Sequence, residues 1–385
     1  MTRLRLCFIG PAASISLRRW TEWFADRGHQ CTVMTVEPAT PAQAVKFEQI
    51  NLATSCRPRK IGRIVSVLKM IRCIRGLRPD LVHIHYLRGL TWGLLADMPH
   101  PCVVTPWGSD VLTDQGAYRE WYSKGLTGRL LRRADLVTTH SRYMEAQVRA
   151  LVSDVQPIVR VGWGVDLQRF RPNIDTESLR RRWGIQTDQP VVFSPRLLQP
   201  LYNHEYIIQA LPRLRRAIPN VIVVFTDYFA DLAYKRRLHR LALELDVTES
   251  IRFVGDVSHE EMPFWFNLAK AVTMIPASDG LPNSLLEAMA CGATPVLNEL
   301  PQYDELVQDR VNGRRAVLDA SILADVLVEV LRDDAFRAQC LVTNRGLMES
   351  VGDQDKEMGK MEGLYRGLVK SAGRIEEWGA RSCAR

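Results

Sequence analysis

The sequence predicts an α/β protein built from two doubly wound parallel sheets. Two observations support this fold class. The chain has 385 residues, which is too many for one ordinary hydrophobic core. Short β-branched apolar runs also alternate with helical patterns through both halves of the chain. Strands separated by helices require crossover connections, which build parallel sheets covered on both faces. We therefore expect two domains, each with its own sheet.

Ten apolar runs are the predicted strands. They are LRLCFIG, CTVMTV, LVHIHY, CVVTPWG and LVTTH in the first half, and PVVFSPR, VIVVFTD, IRFVGD, AVTMIP and TPVLN in the second. Glycine, proline and polar residues interrupt the pattern in VGWGVDLQRFRPNIDTES, which predicts a domain boundary there. The predicted domains are residues 1–165 and 166–355. A C-terminal helix, residues 356–385, is expected to pack back on the first domain.

Composition favours a cytoplasmic globular protein. Hydrophobic residues make up 46% of the chain and charged residues 24%, and no apolar run approaches the roughly 18 residues that span a membrane. The N-terminal segment predicts a first buried strand and its loop, not a signal peptide. The eight cysteines are scattered, with no C-x-x-C pair and no histidine cluster. This pattern favours reduced thiols over a disulfide framework or a zinc site.

Positive charge is concentrated in the first half. Residues 1–170 hold 24 Lys and Arg against 13 Asp and Glu, whereas residues 171–385 hold 27 against 30. The stretch from Arg57 to Arg78 contains eight Lys and Arg and no acid. Its apolar positions at helical spacing are Ile61, Ile64, Val65, Leu68 and Ile71. Two interpretations remain open: a helix that shows its charges to water, or a basic face, residues 57–78, that docks on an anionic membrane surface.

The run SDGLPNSLLEAMACGATPVL places Asp279 and Glu287 eight positions apart. A predicted strand ends before it, and its middle predicts a helix that begins near Asn283 or Ser284 and ends before Gly292. The start of a helix has unpaired backbone N–H groups and the positive end of the dipole, so it can hold a phosphate or pyrophosphate. Two acids that flank such a cradle indicate a ligand with hydroxyls at both ends, such as a nucleotide sugar.

These residues resemble the E-x7-E motif of retaining glycosyltransferases with the GT-B fold, in particular family 4, also called group 1. Other stretches of that family follow in the same order over roughly residues 4 to 330, which makes the resemblance specific. They are SISLRRW after Gly10-Pro11, RGHQCTVMT, RPDLVHIHY, VVTPWGSDVL, LLRRADLVTTHS, VGWGVDLQRFRP, GDVSHEEMPFWFNLAKAVTMIPAS and ELPQYDELVQDRVNGRRA. The GT-B fold consists of two Rossmann-like domains that face an inter-domain cleft.

The resemblance implies that the second domain binds a nucleoside-diphosphate sugar as co-substrate, with no other cofactor and no metal. Glu287 would hold the ribose hydroxyls, Asp279 would contact the transferred sugar, and Arg196 would neutralise the diphosphate leaving group. The residues implied in cradling or approaching the phosphates are Gly280, Leu281, Asn283, Ser284 and Gly10. Family members retain the anomeric configuration, and the leaving phosphate itself would deprotonate the acceptor.

Three positions depart from the family pattern. The first acid of the motif is Asp279 where Glu is usual. The Lys that commonly follows Arg196 is absent, and YNH stands in that segment. Trp107, in PWGSD, occupies the position of a near-catalytic His. We retain Trp107 as a catalytic-site residue, either as a wall for a sugar ring or as a core aromatic.

Structural roles compete with the chemical ones at several positions. The paired acids of the motif could be a helix cap and a surface carboxylate, and Arg196 could form an ordinary ion pair. His83 and His85 alternate along a strand and so share one face. Core or wall packing is favoured for both, because no third metal ligand is visible. Asp110 and Asp166 are expected to brace loops through backbone hydrogen bonds.

Together these features predict a metal-independent, retaining glycosyltransferase of the hexosyltransferase type. Its expected acceptor is a glycan or lipid-linked glycan, as in the synthesis of cell-surface polysaccharide, lipopolysaccharide or glycolipid. The expected location is the cytoplasm, with peripheral association at the inner face of the membrane. A soluble small-molecule acceptor and a non-catalytic nucleotide-sugar-binding scaffold are the alternatives. We expect no nucleic-acid partner, because the basic helix lacks interleaved aromatic residues.

Overall fold

The chain forms two compact units. The computed structural model describes residues 2–36, 45–53, 59–87, 101–112, 121–154, 157–227 and 230–382, with the backbone alone at 59–61, 63, 121–124 and 374–382. The first unit consists of Met1–Trp163 with Asp355–Arg385, and the second of Gly164–Gln354. The limits predicted from the sequence, 165 and 355, lie next to these divisions.

The first unit contains a seven-stranded parallel sheet. Its strands are β1 (Arg5–Ile9), β2 (Gln30–Thr35), β3 (Glu48–Asn51), β4 (Leu81–His85), β5 (Cys102–Thr105), β6 (Leu136–Thr139) and β7 (Ile158–Arg160). They lie in the order β3-β2-β1-β4-β5-β6-β7. The described helices of this unit are α1 (Ile15–Asp26), α2 (Arg59–Leu77), α3 (Trp121–Arg133), α4 (Arg142–Leu151) and the C-terminal helix α12 (Gln354–Ser382).

Helices cover both faces of this sheet. Successive strand residues point to opposite sides, so a single strand contributes side chains to two cores. Cys7 and Ile9 pack with apolar residues of α2, α3 and α4 on one face. Leu6 and Phe8 pack with α1 and α12 on the other. The inner strands β1, β4, β5 and β6 are therefore buried at nearly every position, as expected of parallel strands covered by helices on both sides.

Helix α12 completes the second of these cores. Met358, Met361 and Tyr365 have no exposed surface. The Tyr365 hydroxyl lies 2.5 Å from Nδ1 of His83 and accepts a hydrogen bond of 3.2 Å from Nε1 of Trp20. The first unit thus includes a segment that follows the whole second unit in the chain.

The buried face of α2 differs from the row of apolar positions noted in the sequence. Ile64 and Leu68, which belong to that row, are 37% and 58% exposed. Val67, Met70 and Ile74 are buried instead, in the core beneath the sheet. This helix has apolar residues around much of its circumference, so spacing alone could not select the face. The first part of the predicted basic run, together with the side chains at 59–61 and 63, lies outside what the structure describes.

The second unit contains a six-stranded parallel sheet. Its strands are β8 (Val191–Ser194), β9 (Ile222–Phe225), β10 (Ile251–Phe253), β11 (Ala271–Met274), β12 (Thr294–Asn298) and β13 (Arg314–Ala316), in the order β10-β9-β8-β11-β12-β13. Its α-helices are α5 (Glu177–Trp183), α6 (His204–Ala217), α7 (Leu232–Glu244), α8 (Met262–Leu268), α9 (Asn283–Ala290), α10 (Ala320–Arg332) and α11 (Asp334–Val351). Phe193 packs toward α8 and α9, and Val192 toward α6 and α10.

Within the described ranges, no helix has the length and apolar character needed to cross a bilayer.

Candidate functional site

Two neighbouring strands of the second sheet bring the main candidate residues together. Arg196 follows β8, and the turn that carries Asp279 follows β11. These strands pair in parallel, with Ala271 opposite Val192, so their carboxyl ends lie at the same edge. Ligands of doubly wound sheets bind at this edge. Residues far apart in the sequence therefore meet at the place where a site is expected.

Arg196 and Asp279 form a buried ion pair. The distance from Nη2 of Arg196 to Oδ2 of Asp279 is 2.7 Å, and the two side chains are 13% and 15% exposed. Nη1 of Arg196 donates to Oγ of Ser284 at 3.2 Å, and the guanidinium lies 4.5 Å from the centre of the Tyr202 ring. The ion-pair alternative for Arg196 is thus what the structure contains, and the partner, Asp279, is itself one of the residues predicted for the site.

Burial and charge oppose each other at this pair. Burial raises the pKa of Asp279, and the nearby Arg196 guanidinium offsets only part of that rise. Burial alone would lower the pKa of Arg196, but Asp279 and the phenols of Tyr202 and Tyr303 raise it above its ordinary value. The guanidinium therefore stays charged. Its charge favours the ionised form of the Asp279 carboxyl group, which burial disfavours.

The turn after β11 leads into helix α9. Pro282 occupies the N-cap position, and as a proline it makes no side-chain cap hydrogen bond. Pro282, and not Asn283 or Ser284, thus holds the cap. Gly280 is buried and Leu281 is half-buried. At the other end, Gly292 adopts a φ of 78°, which completes the helix terminus that the sequence predicts.

Glu287 lies one turn inside α9 and is 5% exposed, so the interpretation as a surface carboxylate is wrong. Its Oε1 lies 2.8 Å from Nε2 of His259. Sequence reasoning did not single out His259, which follows β10 at the far edge of the sheet. The sequence shows only that a histidine lies in the loop after a predicted strand. That position does not indicate that its partner is Glu287.

Two further residues support the turn. Nε2 of Gln302 donates to the backbone oxygen of Asp279 at 2.7 Å. Tyr303 is fully buried, and burial raises the pKa of its phenol well above the ordinary value, with a further contribution from Asp279. Both residues follow β12, and neither was predicted from the sequence.

The segment that departs from the family pattern contributes contacts but no second cation. Asn203 adopts a φ of 55°, a left-handed conformation that Asn tolerates well, and its Nδ2 donates to the oxygen of Ile275 at 2.9 Å. His204 is fully buried, and burial together with the charge of Arg196 lowers its pKa to about 3. At neutral pH this histidine is therefore uncharged.

Trp107 and Gly10 lie in the first unit, at the ends of β5 and β1. Nε1 of Trp107 donates to Nδ1 of His85 at 3.3 Å, and its ring meets that of Trp163 edge-on at 5.2 Å. A Cβ atom at Gly10 would come within 3.1 Å of the backbone oxygen of His85 and 3.2 Å of Leu17. Close packing inside the unit is sufficient to explain this glycine, while its approach to a donor phosphate stays a prediction.

The loop-bracing roles predicted for two acids are confirmed. Asp110 accepts from the backbone N–H groups of Leu87, Trp107 and Gly108 at 2.7 to 3.1 Å. Burial nevertheless raises its pKa to about 6. Asp166 accepts from the backbone N–H groups two and three residues ahead, at 3.0 and 3.1 Å.

His83 and His85 share one face of β4, as predicted, with ring centres 3.9 Å apart. Both are fully buried, and burial lowers the pKa of each; that of His85 falls to about 3. Among the described residues, no three His, Cys, Asp or Glu side chains are arranged to hold a metal ion. The full burial of both rings and the contact between them are typical of core packing.

Comparison with known proteins identifies the family. A model of the "Glycosyl transferases group 1" family matches residues 175–342, and a "Glycosyl transferase 4-like" model matches residues 5–141. Sucrose-phosphate synthase from Thermosynechococcus elongatus superposes with a TM-score of 0.82 at 20% identity, over 96% of this chain and 100% of that one. Anabaena HepE in complex with UDP and glucose gives 0.80 at 16% identity, over 95% and 100%. The chain has the GT-B fold and belongs to glycosyltransferase family 4, also called group 1.

Curated relatives match over shorter stretches. A GDP-mannose-dependent alpha-(1-6)-phosphatidylinositol monomannoside mannosyltransferase from Mycolicibacterium smegmatis is 30% identical over 47% of this chain and 48% of its own length. A D-inositol 3-phosphate glycosyltransferase from Streptomyces bingchenggensis is 28% identical over 62% and 56%. The chain spans about half the length of the curated relatives it matches.

Proposed function

We propose that the chain transfers a sugar from a nucleoside-diphosphate sugar, with retention of configuration and without a metal ion. The observation that supports this most directly is the cluster of Arg196, Asp279 and Ser284 at the start of α9, with Glu287 buried one turn further in. A fixed cation at the start of a helix, where the positive end of the helix dipole lies, suits a diphosphate. The carboxylates on either side suit the hydroxyls of a ribose and of a sugar.

The ion pair suggests how the donor would engage this site. When the bond between the anomeric carbon and the phosphate oxygen breaks, negative charge develops on the diphosphate, and a preorganised guanidinium stabilises it. In this proposal the diphosphate replaces Asp279 as the ion-pair partner of Arg196. The released carboxylate then accepts hydrogen bonds from hydroxyls of the transferred sugar. One exchange would thus prepare both side chains.

Thermal unfolding with UDP, GDP, ADP, TDP and their sugars tests the donor site. At about one hundred times its Kd, a bound ligand should stabilise the wild type by about 2.7 kcal/mol. In Glu287→Ala we expect this ligand-dependent increment to fall below about 1 kcal/mol, because the ribose hydroxyls lose a charged acceptor. Glu299→Ala, which changes an exposed acid after β12, should retain it. Stabilisation by none of the nucleotides, or an unchanged increment in Glu287→Ala, would contradict the proposal.

We further propose a lipid-linked glycan as acceptor, on the basis of helix α2. Ile64 and Leu68 are exposed, and Arg72 and Arg75, which are exposed as well, continue the same helical face at spacings of four and three. Apolar side chains beside cations suit the interface of an anionic bilayer. The relative from M. smegmatis, whose name specifies a phosphatidylinositol monomannoside, is consistent with such an acceptor.

Vesicle binding tests the lipid interpretation. Each basic residue near an anionic surface contributes about 1 kcal/mol. Because each substitution also adds a negative charge, we expect Arg72→Glu/Arg75→Glu to bind phosphatidylglycerol-containing vesicles at least about thirtyfold more weakly than wild type. The matched control is Arg236→Glu/Arg240→Glu, which reverses two exposed charges on α7. Equal binding by the two double variants would remove the support for a membrane-bound acceptor.

A soluble acceptor is the second candidate. It is favoured by the relatives named D-inositol 3-phosphate glycosyltransferase. This candidate is supported if the protein does not bind the vesicles but transfers sugar to a soluble polyol phosphate. The scaffold alternative is consistent with the uncharged His204 near Arg196, and tight nucleotide-sugar binding without transfer or hydrolysis would support that alternative.

A further inference from the structure

Glu287 is held by a relay of two side chains from other parts of the second unit. Nε2 of His259, in the loop between β10 and α8, lies 2.8 Å from Oε1 of Glu287. Nδ1 of the same ring lies 3.3 Å from Nη1 of Arg169. The histidine and the glutamate are 12% and 6% exposed. The contact between these two residues therefore lies largely out of solvent, where hydrogen bonds are most effective, whereas the Arg169 side chain is 42% exposed.

The contacts define which ring nitrogen of His259 carries the proton. A guanidinium can only donate hydrogen bonds, so Nδ1 of His259 accepts from Arg169. The ring proton is then on Nε2, which donates to the carboxylate of Glu287. This is the arrangement in which the second nitrogen of a histidine orients the first.

The position of the ring is fixed by its surroundings as well. The ring of Phe170 packs against it at 5.1 Å between centres. Arg169 lies 3.8 Å from carboxylate oxygens of both Asp166 and Glu260. Asp166 also braces the backbone ahead of it. The imidazole is thus held from its face and from both nitrogens.

We propose that His259 is a positioning residue that orients Glu287 to accept hydrogen bonds from the ribose hydroxyls of the donor. A carboxylate offers about four acceptor sites, so it can accept from His259 and from vicinal hydroxyls together. The proposal rests on the proposed function and deepens it: the relay makes the site selective for ribonucleotides over 2′-deoxyribonucleotides. Without His259, the carboxylate loses a donor that fixes its direction.

The test compares the affinities of UDP, GDP and ADP with those of dUDP, dGDP and dADP. Wild type should bind the ribonucleotide of the preferred base about tenfold or more tightly than its 2′-deoxy form. In His259→Ala this ratio should fall below about threefold, because the ribonucleotide loses affinity and the deoxynucleotide changes little. His259→Gln retains an N–H donor at similar reach and should restore most of the ratio. His239→Ala, which removes an exposed histidine on α7, should leave it unchanged.

The outcomes separate the two proposals. An unchanged ratio in His259→Ala, or an equal loss of affinity for both sugars, would overturn the positioning role while the donor site stands. Failure of His259→Gln to restore the ratio would also overturn it. If wild type binds only TDP, the role of His259 fails while the donor site stands. If it binds none of these nucleotides, TDP included, the proposed function fails and the role of His259 fails with it.

Discussion

The variant Arg196→Met is expected to transfer sugar at least about a hundredfold more slowly than wild type at saturating donor. The guanidinium contacts Ser284 at the start of α9, where we propose that it stabilises charge on the leaving diphosphate. Removal of one preorganised donor at a developing negative charge costs about a hundredfold to a thousandfold in kcat. The measurement is the initial rate of nucleoside diphosphate release with an acceptor present.

The same substitution should also reduce stability, and a second variant separates the two effects. Arg196→Met leaves Asp279 buried without its partner, which costs about 3–5 kcal/mol in comparable cases. In Arg196→Met/Asp279→Asn, most of that loss should return while transfer stays slow. Recovery of transfer together with stability would show that Arg196 acts through folding alone, and would contradict its role at the leaving group.

Replacing Tyr365 by alanine is expected to destabilise the first unit by about 3–5 kcal/mol, as other large aromatic-to-alanine changes in cores do. The ring packs against Phe24 at 5.0 Å between centres. Its loss also leaves His83 and Trp20 with buried polar atoms that lack a partner, which adds to the cost. Urea unfolding followed by tryptophan fluorescence measures the change, since Trp20 lies in this core.

Two variants control this result. Tyr365→Phe keeps the ring and removes only the hydroxyl, so its smaller loss isolates the hydrogen bonds to His83 and Trp20. Gly363→Ala lies on the same helix, where an added Cβ meets nothing within 4 Å; it should stabilise by up to about 1 kcal/mol. If Tyr365→Ala unfolds within about 1 kcal/mol of wild type, α12 is not part of the folded first unit.

The strands that sequence reasoning found and missed differ in position. All ten predicted runs contain strands of the two sheets. The three strands it missed, β3, β7 and β13, each lie at the edge of a sheet. Their sequences are EQIN, IVR and RRA. A search for continuous apolar runs finds strands that are buried on both faces. An edge strand has one exposed side and needs no such run.

The same limit applies to the candidate site. The spacing of Asp279 and Glu287 around a helix start could be read directly, because those residues are close in the chain. The ion pair between Arg196 and Asp279 depends on β8 lying beside β11, and strand order is not visible in a single sequence. The contact between His259 and Glu287 was harder still to predict. His259 follows β10, and β9 and β8 lie between that strand and β11, which precedes the helix of Glu287.

The position of α12 has a consequence for how the protein is made. Met358, Met361 and Tyr365 emerge from the ribosome only after the entire second unit has been synthesised. Domains generally fold as units during translation, from the N-terminus onward. Here the first unit must wait with part of its core uncovered, while the second can close as soon as its last strand and helices are available. We therefore expect the second unit to reach its native state first on the nascent chain, and the first unit to be the one that needs protection from aggregation.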